Sequence, residues 1–328
     1  MEFRTQIAIA KPLFDFSYKD RIMLFGSCFA ENIGEKLYEN NFITDVNPFG
    51  TLYNPASVAR ALRMLFHSRE LSASDLFEHN SLYHSFMYHG RFSSQKMEEA
   101  LCNMNGRLLD AHDNLQETTR LVITLGTAFV YRLKSDGQVV SNCHKLPEKF
   151  FSREMLTVKD IVDEWDTLLL SVWEQKPNLK ILLTISPIRH WKDGAHQNQL
   201  SKATLLLAAD ILQKRYPRQI GYFPSYEIMM DELRDYRFYA DDMLHPSPLA
   251  IEYIWQTFVQ HFLQDETKAI LKDWQEIKKA INHKPFQPDS EAYRGFISQT
   301  LLKAEHIKEK FPYFGIEEEV EFLQNKLT

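Results

Sequence analysis

The chain has 328 residues, 44% of them hydrophobic and 25% charged, proportions that exclude disordered, collagen-like and low-complexity classes. Thirty-eight Lys and Arg stand against 44 Asp and Glu, a net charge of -6, so no overall field draws the chain to nucleic acid or anionic lipid. Three scattered cysteines, Cys28, Cys102 and Cys143, build neither a disulfide framework nor a paired-Cys zinc site, and their odd number fits a reducing compartment. The N-terminal stretch carries Glu2, Arg4 and Lys11 and is too interrupted for a signal peptide. Runs such as ILLTISPI fall far short of the ~18 apolar residues that cross a bilayer. A soluble, cytoplasmic protein without membrane insertion is expected.

In chain order, Arg21 to Phe25 reads as a buried strand broken by Gly26-Ser27, and Glu31 to Asn40 as a helix with Ile33, Leu37 and Tyr38 at helical spacing. Leu121 to Leu125 is a second strand, ending at Gly126. Val158 to Trp173 reads as an amphipathic helix, Lys180 to Ile185 as a third strand closed by Ser186-Pro187, and Gln199 to Lys214 as another helix. This alternation predicts an α/β fold with a mostly parallel sheet between two helical layers. In such sheets ligands bind beyond the carboxyl ends of the strands, where Gly26-Ser27-Cys28, Gly126-Thr127 and Ser186-Pro187 fall. Ile251 to Phe262 and Thr267 to Ile281 read as charged helices, and HKPFQPDS (His283 to Ser290) is the best break. The expected division is a catalytic domain over 1–263 and a helical extension over 264–328.

Two stretches carry chemistry. In IMLFGSCFAENIG (Ile22 to Gly34) a strand enters a tight turn and a helix starts at once. A nucleophile there projects at the sheet edge beside unpaired helix N–H groups, which predicts a depressed pKa for the Cys28 thiol. A free cysteine more often just fills core, so position alone does not assign the role. In YADDMLHPSP (Tyr239 to Pro248), Asp242 and His245 are three apart, a spacing at which one turn brings carboxylate to imidazole. The histidines His84, His89, His144 and His190 show no metal-ligand spacing, and Cys143 beside His144 would point away from it in a strand. No metal and no cofactor are expected.

FGSCFAENIG resembles the signature of the GSCFA family, and NPFGTLYNP (Asn47 to Pro55), HSFMYHGRF (His84 to Phe92), NCHKLPEKFF (Asn142 to Phe151) and SPIRHWKDGAHQNQLSKATL (Ser186 to Leu205) extend the likeness. That family is regarded as a branch of the SGNH, or GDSL-like, hydrolases. The resemblance implies a three-layer, flavodoxin-like α/β/α sandwich. It places the nucleophile of the Gly-Asp-Ser motif on Cys28, with Ser27 as the alternative one register away. It implies Gly50 as an oxyanion-hole glycine, and Asp242 with His245 as the terminal Asp-x-x-His. The third motif, Gly-x-Asn-Asp, lacks its Asn after Gly126, so Thr127 or Asn142 is the candidate third donor. His190, after the third strand, is a substrate-binding candidate, and Arg189 and Lys192 beside it could receive an anionic group. The implied activity is hydrolysis or transfer of an acyl group, on a small molecule or a carbohydrate. The alternative is a non-catalytic ligand-binding module on a hydrolase fold.

Overall fold

The computed structural model describes residues 5–327, so Glu2 and Arg4 lie outside the described residues. β1 (Arg21–Gly26) runs directly into α1 (Cys28–Glu39) and returns as β2 (Ile43–Val46). Next come α2 (Pro55–Phe66), a hairpin of β3 (Phe77–His79) and β4 (Leu82–His84), α3 (Met97–Glu117) and β5 (Arg120–Leu125). A small antiparallel sheet of β6 (Phe129–Leu133), β7 (Val139–Val140) and β8 (Phe151–Met155) is inserted here. The chain continues through α4 (Val158–Gln175), β9 (Lys180–Ile185), α5 (Gly194–Arg215), β10 (Ile220–Phe223) and the single turn α6 (Ser225–Glu227). It closes with α7 (Pro248–Phe262), α8 (Asp265–Ile281), α9 (Glu291–Lys310) and α10 (Glu317–Asn325).

The main sheet has five strands, ordered β2-β1-β5-β9-β10, and every pair is parallel. Numbered within this sheet the order is 2-1-3-4-5, the flavodoxin-like doubly wound arrangement, whose switch point lies between β1 and β5. Both faces are covered, so the strands read as continuous apolar runs, not alternating ones. Alternation instead sorts side chains between two cores. Met23, Phe25, Leu121, Ile123, Ile181 and Leu183 face a core built with α2 to α5. Ile22, Leu24, Val122 and Leu182 face a second core built with α1, α7 and α8 to α10. Each fully buried Leu, Ile or Phe contributes about 1.5–3 kcal/mol of transfer free energy, enough to hold three layers together. The expected α/β/α sandwich is therefore the observed fold.

The C-terminal helices are packed into that second core. Phe314 lies against Tyr18 and Trp274, with ring centroids 4.6 and 5.7 Å away, and Trp274 Nε1 and Lys278 Nζ both donate to the Glu39 carbonyl that ends α1. Sequence periodicity misses β2 because Asp45 interrupts it; the carboxylate is tolerated there because Arg107 and Asn114 bind it. Among the described residues, no helix is long and apolar enough to cross a membrane.

Candidate active site

Cys28 owes its position to the junction before it. Gly26 ends β1 with φ +142°, its N–H held by Asn47 Oδ1 at 2.9 Å. Ser27 then caps α1: its Oγ accepts from Phe29 N–H at 3.3 Å and donates to Ser186 Oγ at 3.0 Å. This cap starts the helix at Cys28, three residues before the periodicity of Glu31 to Asn40 suggests. Ser27 is wholly buried and does not line the cavity above it, whereas Cys28 is half-buried and does.

His245 arrives from the opposite side, on the loop that precedes α7. Asp242 Oδ1 accepts the N–H groups of Leu244 and His245 at 2.9 Å each, while its Oδ2 meets His245 Nδ1 at 2.5 Å. Met243 takes φ 59° to close this turn. Those two N–H groups, and then the imidazole, hold the Asp242 carboxyl down at about 2. Asp241 is exposed and takes no part. With Nδ1 engaged, Nε2 is the nitrogen His245 offers to the cavity.

Cys28 and His245 both line one cavity of about 480 Å³ at the switch point, together with Thr127, Asn142 and His190. Thr127 N–H donates to the Tyr53 carbonyl at 2.9 Å, and its hydroxyl lies 3.0 Å from Ser201 Oγ. Asn142 accepts the His144 N–H on Oδ1 at 2.9 Å; among the described residues its Nδ2 has no partner. His190 Nε2 is buried without a partner, and its ring packs edge-on to Tyr53. Gly50 departs from the expectation. Its N–H donates to the Asn47 carbonyl at 2.8 Å inside a turn, it is absent from the cavity wall, and a Cβ there would meet His89 Cβ at 2.2 Å. The glycine is required by φ +84° and by the close approach of His89, and it has no N–H left for an oxyanion.

A family model described as the GSCFA family matches residues 21–258. The chain belongs to the GSCFA family. A second model, GSCFA domain protein, C-terminal domain, matches residues 274–328 of the same chain. No curated protein matches this GSCFA chain. A solved structure described as "a putative platelet activating factor from Streptococcus pneumonia" is 11% identical, with a TM-score of 0.38 over 74% of this chain and 84% of that one. At that score the likeness carries no argument.

Electrostatics in this GSCFA protein correct a second expectation. Burial pushes the Cys28 thiol up; the N–H groups of Cys28 and Phe29 at the helix start pull the other way, and Glu31 and Asp242 add to the rise. Desolvation of the half-buried side chain outweighs the helix N-terminus. Alkylation of Cys28 by iodoacetamide, followed by peptide mass spectrometry, should therefore still be accelerating at pH 9. A rate that levels off below pH 8 would contradict a raised thiol. Cys143 and His144 also differ from the strand expectation. They lie in a turn where His144 and Lys145 have φ 47° and 58°, and His144 Nε2 is directed to the Ser85 carbonyl at 2.8 Å.

Sequence reasoning missed Lys202 and Asn54. Lys202, 1% exposed, donates to the carbonyls of Gly126 and Ser186 at 2.7 Å each, tying together the ends of β5 and β9 under the cavity. Burial lowers its pKa to about 7, partly opposed by Cys28. A signal existed: Asn198, Ser201 and Lys202 are buried on α5 in register with Leu205, Ala208 and Leu212, a polar extension of an apolar stripe. Asn54 caps α2 through Oδ1 (Ser57 N–H, 2.8 Å) and lines the cavity, with no partner for Nδ2 among the described residues.

Two histidines, the buried His144 and the partly buried His190, set an acid limit. Burial lowers His190 to about 3, with Lys202, His245 and Arg153 adding to the effect, and lowers His144 to about 4. The native imidazoles stay neutral while unfolded ones take up protons near pH ~6.5. Stability is thus unaffected by them above that pH and falls as pH drops toward 4, by at most about 1.4 kcal/mol per pH unit for each histidine. Urea midpoints measured from pH 7 to 4.5 should show a shallower fall in His144→Asn than in wild type; parallel curves would contradict the assignment.

Proposed function

We propose that the chain is an SGNH-type acyl-ester hydrolase or acyltransferase whose nucleophile is Cys28. The observation that carries this reading is the convergence of Cys28 and the Asp242–His245 pair on one cavity at the sheet's switch point. As Sγ attacks the acyl carbonyl, His245 Nε2 takes the thiol proton, and the raised thiol makes that base necessary. Asp242 holds the ring and stabilises its cationic form. The Cys28 N–H and the side-chain amides of Asn142 and Asn54 face the developing oxyanion, in place of Gly50 and Thr127. The C–O bond breaks, His245 returns the proton to the leaving alcohol, and a thioester on Cys28 remains. Water or an acceptor hydroxyl, deprotonated by His245, then attacks the thioester; the C–S bond breaks and the sulfur regains a proton.

The substrate in this reading is a small molecule or carbohydrate bearing an acyl group, no cofactor takes part, and the compartment is the cytoplasm, supported by three free cysteines. The engagement of the Gly50, Gly126 and Thr127 N–H groups within the fold favours a second reading, a ligand-binding module without turnover. A panel of p-nitrophenyl acyl esters and acyl thioesters, quenched in acid and analysed by peptide mass spectrometry, separates the two. An acyl adduct on Cys28 that forms and decays with turnover is the expected result. Ligand-induced stabilisation without any adduct or product would replace the enzyme by the module.

A further inference from the structure

The cavity wall opposes the charge of the molecule. The chain carries a net charge of -6, yet the residues lining the cavity include Arg153, Arg189 and Lys192 and neither Asp nor Glu. Two of these cations are already answered: Arg153 Nε donates to Asp193 Oδ1 at 2.7 Å, and Lys192 Nζ to Glu148 Oε1 at 2.8 Å. Arg189 is different. Among the described residues no carboxylate pairs with it, its Nε is buried without a partner, and Nη2 reaches only Met230 Sδ, at 3.6 Å.

The guanidinium is nevertheless held in place. Its carbon lies 5.9 Å from the Trp191 ring centroid and 5.8 Å from that of Tyr239, and the backbone N–H of Arg189 donates to the Leu244 carbonyl at 3.3 Å. Leu244 immediately precedes His245, so this contact registers Arg189 against the loop that carries the imidazole. Arg189 as a whole is half-buried, but an unmatched, buried N–H on a cation costs more than the ~1–3 kcal/mol of a neutral donor, a cost that a partner which comes and goes would relieve. A planar fork of donors suits a carboxylate or phosphate bound through two oxygens.

We propose that Arg189 receives an anionic group, carboxylate or phosphate, on the substrate whose acyl bond lies at Cys28. This rests on the acyl-transfer reading for the position of the bond, but not for the binding of the anion. The kinetic test compares 4-nitrophenyl valerate with mono-4-nitrophenyl glutarate, which differ only in a terminal methyl or carboxylate. Wild type should prefer the glutarate ester, and Arg189→Met should shrink the ratio of the two kcat/KM values by roughly 10- to 100-fold, the worth of a charge-assisted hydrogen-bond pair. Arg189→Lys should restore part of it. A ratio unchanged by Arg189→Met, whatever the absolute rates, overturns the proposal.

Calorimetry on the Cys28→Ala protein, with glutarate and with glycerol 3-phosphate as probes, removes the dependence on turnover. Binding of either anion that weakens at least tenfold when Arg189→Met is added upholds the anion site even if no ester is ever cleaved. The tighter probe then identifies the group as carboxylate or phosphate. Equal affinity with and without Arg189, or no binding of either probe, overturns it.

Discussion

Cys28→Ala should lower kcat/KM on any acyl ester the protein cleaves by about 10⁴-fold or more, the scale at which removal of a nucleophile leaves only binding and oxyanion contacts. That is about 5.5 kcal/mol of transition-state stabilisation. Ser27 offers no rescue, because its hydroxyl is wholly buried, donates to Ser186 Oγ and accepts from Phe29 N–H. Moving it to the substrate would uncap α1. His245→Ala should approach the same loss, since a thiol raised by burial lacks the preformed thiolate that would make the base dispensable. Asp242→Asn should cost less, about 10- to 100-fold, because the Asp242–His245 pair is nearly half exposed and solvent screens it. Steady-state kinetics of the three variants check this order. Full activity in Cys28→Ala would remove the thiol mechanism altogether.

Gly26→Ala should be the most damaging single substitution for folding. An added Cβ would sit 2.2 Å from the Thr124 carbonyl oxygen and 2.8 Å from Thr124 Cβ, on the neighbouring strand β5. Backbone cannot yield there without separating β1 from β5, the pair at the centre of the sheet. The φ of +142° is also one that L side chains rarely adopt. Steric overlap and backbone strain together should cost more than ~4 kcal/mol, a large share of a domain's 5–15 kcal/mol. Urea denaturation of the purified variant would report it, with recovery mainly in inclusion bodies as the coarser sign. Gly137→Ala is the internal control: its φ is also positive, +74°, but nothing lies within 4 Å of the added carbon, so strain acts alone and the loss should be about 1 kcal/mol. A wild-type midpoint in Gly26→Ala would mean that β1 and β5 are not packed as described.

The strands over Arg21 to Phe25, Leu121 to Leu125 and Lys180 to Ile185 were legible because a parallel sheet buried on both faces leaves an uninterrupted apolar run with a Gly or Ser at its end. Asp242 and His245 were legible for a related reason: their pairing is made within one turn, so spacing alone reports it. The parallel α/β class, the strand ends as the place for a site, and the Asp–His pair thus follow from local pattern. Whatever depends on who faces whom across the fold does not. Gly50 looks like an oxyanion donor until His89 is found packed against it and its N–H turned to Asn47, and Cys28 looks like a thiolate until desolvation is weighed against the helix N-terminus. Lys202 looks like one more surface lysine until α5 is laid against the ends of β5 and β9. Burial and the charge of a cavity wall are set by residues from separate elements, as when Lys202 on α5 reaches Gly126 at the end of β5, and only the packed chain brings them together.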